Sequence, residues 1–204
     1  MIDLEIFEGK TREEALEKAL LKYQITEKDL LIKEEFTEGK LFKSSKCKLT
    51  VIEKRKINRY LEDYFNQLSK YLKININSEI REEEGIYNIL LVSDNNNILI
   101  GKEGKNLNAI QYLIRQTLHA RTGFPIKVNI DISNYKMNKL RVLEKEVKKI
   151  AREVQSTKID SSLDPMNSYE RRIVHNVVSK FDNLYSESVG EGINRYTVIK
   201  YKED

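Results

Sequence analysis

The chain has 204 residues, with 36 Lys and Arg against 32 Asp and Glu, two His, one Cys and no Trp. Hydrophobic residues at 40% and charged ones at 33% exclude a disordered polyelectrolyte. The single Cys47 excludes an intramolecular disulfide framework or a cysteine-based zinc finger. No stretch approaches the ~18 apolar residues of a membrane span. The opening Met1-Ile-Asp-Leu-Glu-Ile-Phe-Glu lacks the basic-then-apolar order of a signal peptide, so the expected address is the cytoplasm.

In chain order, Ile2, Leu4 and Ile6 alternate as a strand that Gly9 ends. Thr11-Arg-Glu-Glu14 has capping-box spacing, and a short helix follows with Ala15, Leu16, Ala19, Leu20 and Tyr23 on one side. Leu30 to Glu35 and Lys46 to Ile52 read as strands joined by a loop around Gly39. This βαββ module over 1–52 is near the lower size limit for independent folding.

From Glu53 to Lys73 the period is helical, through Ile57, Leu61, Tyr64, Phe65, Leu68 and Leu72. Lys54-Arg55-Lys56 opens this linker helix; such a run either touches phosphate or forms a solvated face. Strands at roughly 74–82 and 86–93 turn near Gly85, and Asp94-Asn-Asn-Asn97 reads as a loop. Ile98, Leu99 and Ile100 run into Gly101, and a helix from Lys105 to about Arg121 turns Leu107, Ile110, Leu113, Ile114, Thr117 and Leu118 inward. Ile126–Ile132 alternates as a strand.

A charged helix over about 137–155 buries Leu140, Leu143, Val147, Ile150, Ala151 and Val154. Asp164 and Pro165 fit the N-cap and N1 positions of a further helix running to about Lys180. Strands near 184–188 and 195–201 end the chain. The fold class is α+β in three small modules: the βαββ unit, a KH-type ββααβ domain over 74–133 with a preceding helix at 53–73, and an α/β unit over 134–204.

Ile100-Gly101-Lys102-Glu103-Gly104-Lys105 is the most informative stretch. G-x-x-G spacing is weak alone, but here it follows two strands, opens an amphipathic helix and leads to a third strand. That is the KH arrangement, whose G-x-x-G loop clamps about four single-stranded nucleotides. Glycines let a sugar-phosphate backbone approach closely. Free N–H groups at a helix start favour phosphate oxygens, and Lys102 and Lys105 add charge. Glu103 opposes phosphate unless it points to solvent. The P-loop pattern G-x-x-x-x-G-K-[ST] is absent.

In the last helix Met166, Ile173 and Val177 are expected to be buried, leaving Arg171 and His175, four apart, on the opposite face with Ser168 near. Arg presents a planar fork to phosphate. The same spacing at Arg115 and His119 is a decoy inside the glycine-pair helix, where His119 reads as structural or surface. The text around Arg171 differs: Asp-Pro-Met-Asn-x-Tyr-Glu-Arg-Arg-Ile-Val-His is followed by Ser188, Gly190, Glu191, Asn194 and Arg195 ahead of a terminal strand. This resembles the nucleic-acid-binding domain named for Arg-x-x-x-His, the R-three-H domain. The RNA-binding candidates are Gly101, Lys102, Glu103, Gly104, Lys105, Arg171, Arg172, His175 and Arg195. No nucleophile or metal set accompanies either His, so neither catalysis nor a cofactor is expected.

A KH domain followed by an R-three-H domain, behind a small βαββ module, resembles the bacterial Jag family along the whole chain, most strongly over Ile100–Leu113 and Asp164–His175. The chain departs from it at Gly39-Lys-Leu-Phe-Lys-Ser-Ser45, where the family loop is Gly-rich. It departs again at Tyr135-Lys-Met-Asn-Lys139, less basic than the family's Tyr-Arg-x-Arg-Arg, and at Ile193 and Tyr196, where the family has Pro and a second Arg. The resemblance implies a cytoplasmic regulator that binds single-stranded RNA and works with a small single-KH-domain protein as a heterodimer. It also implies a link to cell elongation and division. The N-terminal module would be the protein-interaction part, with a contact to a membrane protein insertase; homodimerisation stays open.

Charge by segment constrains the mechanism. Residues 53–74 carry 6 basic and 3 acidic groups and 134–204 carry 14 and 11, whereas 1–52 carry 10 and 11 and 75–133 carry 6 and 7. The glycine-loop module must therefore hold RNA by backbone geometry and a groove, not by bulk attraction. The competing reading is a protein-interaction adaptor whose KH surface dimerises and whose RNA binding is incidental.

Overall fold

A computed structural model describes residues 2–37 and 46–202. The chain divides into two compact units, Met1–Ser133 and Asn134–Asp204.

The first unit begins with β1 (Glu5–Gly9), α1 (Arg12–Tyr23), a 3-10 turn (Glu27–Asp29), β2 (Leu30–Thr37) and β3 (Lys46–Glu53). Both pairings in the β1-β3-β2 sheet are antiparallel. Thr11 Oγ1 accepts from the Glu14 N–H, and the Glu14 carboxylate accepts from the Lys10 N–H at 2.8 Å, one residue before the N-cap. Ala15, Leu16 and Ala19 of α1 pack on Leu30, Cys47, Leu49 and Val51, with Leu20 and Tyr23 at the margin. The loop expected around Gly39 lies outside the described residues.

Helix α2 (Lys54–Leu72) buries Ile57, Leu61 and Phe65. Leu72, expected on that stripe, is exposed because the helix ends there, with Lys73 turning the backbone left-handed. Each cation of the basic run sits on a carboxylate, and Arg55 stays exposed to solvent as a solvated face would have it. Lys54 Nζ lies 2.8 Å from Glu82, while Arg55 and Lys56 lie 2.5 and 3.4 Å from the buried Glu53.

Strands β4 (Ile76–Glu83) and β5 (Ile86–Ser93) pair antiparallel, and β5 pairs parallel with β6 (Lys127–Ile132). A parallel pair needs a crossover, here α3 (Asn96–Ile100), the glycine loop and α4 (Lys105–Thr122). The stretch expected as a loop over 94–97 is one only as far as Asn95. Asn96 starts α3, its side chain accepting from the Ser93 N–H and donating to Ser133 Oγ, each at 2.9 Å. Tyr87, Ile89 and Leu91 of β5, Val128, Ile130 and Ile132 of β6, Leu99 of α3 and Leu107, Ile114 and Leu118 of α4 are buried. Leu113, expected inward, is 53% exposed: it lies one residue, about 100°, round the helix from Ile114.

The second unit contains α5 (Tyr135–Thr157), β7 (Ser161–Ser162), α6 (Ser168–Val178), β8 (Leu184–Val189) and β9 (Tyr196–Tyr201), with antiparallel sheet order β7-β9-β8. Val147, Ala151 and Val154 of α5 pack with Val174, Val177 and Val178 of α6 and with Leu184 and Ile199. Two expectations are corrected. The sixth helix starts at Ser168, not at Asp164-Pro165, because Asn167 forms a reciprocal capping box: its side chain accepts from the Tyr169 and Glu170 N–H groups, and Glu170 accepts from the Asn167 N–H, all at 3.0 Å. Residues 163–166 instead lie outside any helix, Leu163 and Met166 donating to the Thr197 and Arg195 carbonyls. The buried stripe is Glu170, Val174, Val177 and Val178, while Met166 and Ile173 are only partly buried.

Candidate nucleic-acid interface

The glycine loop joins the short α3 to α4 by a left-handed excursion. Gly101 has φ 68° and ψ 178°, Glu103 φ 56°, and Gly104 φ 84°. A Cβ on Gly101 would lie 2.6 Å from Asn106 Cγ. That side chain cannot simply swing away, since its Nδ2 donates to the Ile98 carbonyl at 2.8 Å. Asn106 thus clamps the loop against α3, and sequence reasoning did not single it out.

The loop's N–H groups divide into two sets. Those of Gly101, Gly104 and Lys105 are taken by the carbonyls of Asn97, Gly101 and Lys102. Those of Lys102 and Glu103 belong to the exposed tip between them. Lys102, Glu103 and Lys105 are exposed and Gly104 is buried. Two exposed cations on a glycine-flanked turn suit the oxygens of a phosphate. The decoy pair is occupied elsewhere: Arg115 Nε donates to the Val128 carbonyl at 2.9 Å, and His119 Nδ1 lies 3.2 Å from the Phe124 carbonyl.

In the second unit Arg171 and His175 lie one turn apart on α6, and both are half-buried rather than fully exposed. Arg171 Nη1 donates to the Met166 carbonyl at 2.9 Å, which fixes one prong of the fork. His175 lies between two serines of β8, Nδ1 2.5 Å from Ser186 Oγ and Nε2 3.1 Å from Ser188 Oγ. A hydroxyl donates or accepts, so either neutral tautomer of the ring is satisfied. Ser186 was missed in the sequence, although strand alternation puts it on the same face as Ser188.

Arg195 enters the same region through its backbone. The Met166 N–H donates to the Arg195 carbonyl at 3.1 Å, and the Met166 carbonyl accepts from Arg171, so residue 166 links the two arginines. Arg172 is exposed but lies about 100° round the helix from Arg171. An open depression of about 540 Å³ beside His175 is lined by Ser179, Phe181, Tyr185, Ser186 and Lys202, among others. Glu170, next to Arg171, is buried and neutralised by Lys139 at 2.6 Å. Among the described residues no helix is long and apolar enough to cross a membrane, and no group of three or more His, Cys, Asp or Glu side chains could hold a metal ion.

Comparison with known proteins matches two family profiles to this chain: the KhpA/KhpB KH domain over residues 58–132 and the R-three-H domain over 141–201. The RNA-binding protein KhpB of Clostridium symbiosum is 33% identical over 210 residues, covering 100% of this chain and 94% of that protein. RNA-binding protein KhpB of Bacillus subtilis is 27% identical over 200 residues, with 95% and 96% covered. RNA-binding protein KhpB of Streptococcus pneumoniae is 29% identical over 150 residues, with 74% of this chain and 40% of that protein covered.

Proposed function

The chain belongs to the Jag (KhpB) family of bacterial RNA-binding proteins, and from that premise we propose that it is a non-catalytic regulator that binds single-stranded RNA through two modules. The observation that carries this reading is the glycine loop, where exposed Lys102 and Lys105 flank the left-handed turn at Glu103 and Gly104 in the crossover of a KH sheet. A sugar-phosphate backbone passes over this tip, and Arg171, His175 and Arg195 hold further phosphates on the R-three-H domain. Each site alone is weak. Joined in one chain, they raise each other's effective concentration wherever an RNA spans both.

The functional modules in this reading are the N-terminal unit at 1–52, the helix at 53–73, the KH domain at 74–133 and the R-three-H domain at 134–204. The KH profile shared by KhpA and KhpB supports a small single-KH protein as partner, and the family relation is what supports cell elongation and division as the regulated process. Replacing Lys102 and Glu103 together with Asp repels phosphate and leaves the core untouched. RNA crosslinking in cells and titration of a single-stranded oligonucleotide should then fall at least tenfold, with an unchanged circular dichroism spectrum. Full retention of crosslinking refutes the assignment of the loop.

A further inference from the structure

Helix α5 carries a second basic surface. Its inward face is Leu143, Val147, Ile150, Ala151 and Val154, packed against the core shared with α6. At about 100° per residue, Arg141, Lys145, Lys148 and Arg152 fall within an arc of about 60° on the other side. All four are exposed, and none enters an ion pair among the described residues. The cations of Lys54, Arg55, Lys56 and Lys200, by contrast, each sit on a carboxylate.

The spacing i, i+4, i+7, i+11 makes a row about 16 Å long, with neighbouring charges about 4.5 to 6 Å apart along the axis. Of the helix's acids, Glu146 and Glu153 lie more than about 100° from the centre of the row, and Glu144 flanks it at about 70°. The row is therefore a continuous positive strip. Its occupant must be a repeating anion, since four cations in line exceed what one phosphate can use. A lipid surface fits poorly. Helices that lie on membranes pair a basic face with an apolar face turned outward, whereas here the apolar face is inside the core and the large exposed apolar side chains of the helix are two isolated ones, Met137 near the row and Val142 to its side.

We propose that Arg141, Lys145, Lys148 and Arg152 form a sequence-independent track for the phosphate backbone of RNA. This rests on the RNA-binding reading above. The row faces away from the α5 surface that packs on α6, so it is distinct from the Arg171–His175 face. It adds affinity and salt dependence to RNAs long enough to reach it, and no base preference.

The test uses the full chain with Arg141→Gln, Lys145→Gln, Lys148→Gln and Arg152→Gln combined, Gln being a good helix former. A companion carries only Arg141→Lys and Arg152→Lys. Affinity for a long and a very short single-stranded RNA is titrated against salt. Four phosphate contacts at ~0.7 each predict that the logarithmic salt slope on the long RNA falls by up to ~2.8. The short RNA should be unaffected and the lysine companion should keep the wild-type slope.

A control replaces Lys28, Lys33, Lys46 and Lys48 of the N-terminal module with Gln, the same loss of charge. An unchanged slope in the α5 variant, or an equal fall in the control, overturns the proposal while leaving the glycine-loop reading in place. Loss of sedimentation with phosphatidylserine vesicles at unchanged RNA slope also overturns it, in favour of a membrane. A wild-type chain that binds neither RNA overturns both readings.

Discussion

Replacing Gly101 with Ala tests the geometry of the loop most directly. The backbone there, φ 68° and ψ 178°, lies in a region that is essentially restricted to glycine and costs other residues about 1–3 kcal/mol. The added Cβ would also lie 2.6 Å from Asn106 Cγ and 2.9 Å from its two amide atoms. Relieving that contact means giving up the Asn106–Ile98 hydrogen bond, worth about 0.5–1.5 kcal/mol. The sum is about 1.5–4.5 kcal/mol, set against a domain's typical stability of about 5–15 kcal/mol.

Hydrogen exchange at the β5 and β6 amides reads this loss locally, and titration with single-stranded RNA should show at least a tenfold drop in affinity. Asn106→Ala supplies the internal check. Alone it should cost about 1 kcal/mol, and in its background Gly101→Ala should cost only the backbone part, about 1–3 kcal/mol. Wild-type stability within about 0.5 kcal/mol in Gly101→Ala, or strict additivity of the two changes, refutes the steric argument.

The serine pair around His175 gives a second prediction. Ser186→Ala with Ser188→Ala removes two hydrogen bonds of about 0.5–1.5 kcal/mol each and frees the ring, so RNA affinity should fall several-fold with the fold intact, whereas Ser179→Ala should leave it unchanged. The Lys54–Glu82 contact gives a pH dependence. The hydrogen bond from Lys54 holds the Glu82 carboxyl below its ordinary value near 4.5. A group with a lowered native value stabilises the fold above its unfolded value and loses that contribution as pH falls through the native one. Acid unfolding of α2 from the β4–β5 hairpin should accordingly be shallower in Glu82→Gln than in wild type.

Cys47 provides a fourth test: it is fully buried, and burial, reinforced by Glu34, pushes its thiol up. Its labelling by a thiol reagent at neutral pH should be slow in the native chain and accelerate only when the N-terminal sheet opens. Rapid stoichiometric labelling without denaturant contradicts that burial.

Much of this molecule is legible residue by residue. Periods of two and 3.6 locate most of the strands and helices because those patterns are local consequences of backbone geometry. The G-x-x-G pair was readable for the same reason, since the glycines answer to the φ of their own positions. The start of α6 was not, because Asp164-Pro165 and Asn167 offer competing caps within four residues. The choice falls to Asn167, whose Glu170 partner closes the box while Leu163 and Met166 donate to the Thr197 and Arg195 carbonyls.

Contacts between distant residues decided the rest. Arg115–His119 and Arg171–His175 share one spacing in the sequence, yet His119 lies against a backbone carbonyl of its own turn, whereas His175 sits between two serines on a neighbouring strand. Lys54 could touch phosphate or stay solvated as far as the sequence tells, until the fold brings Glu82 against it, whereas Arg55 and Lys56 pair with their near neighbour Glu53. The slight net charge of +4 thus said little of where free cations lie. A charge count is additive along the chain, whereas availability depends on which carboxylates the tertiary fold brings within reach.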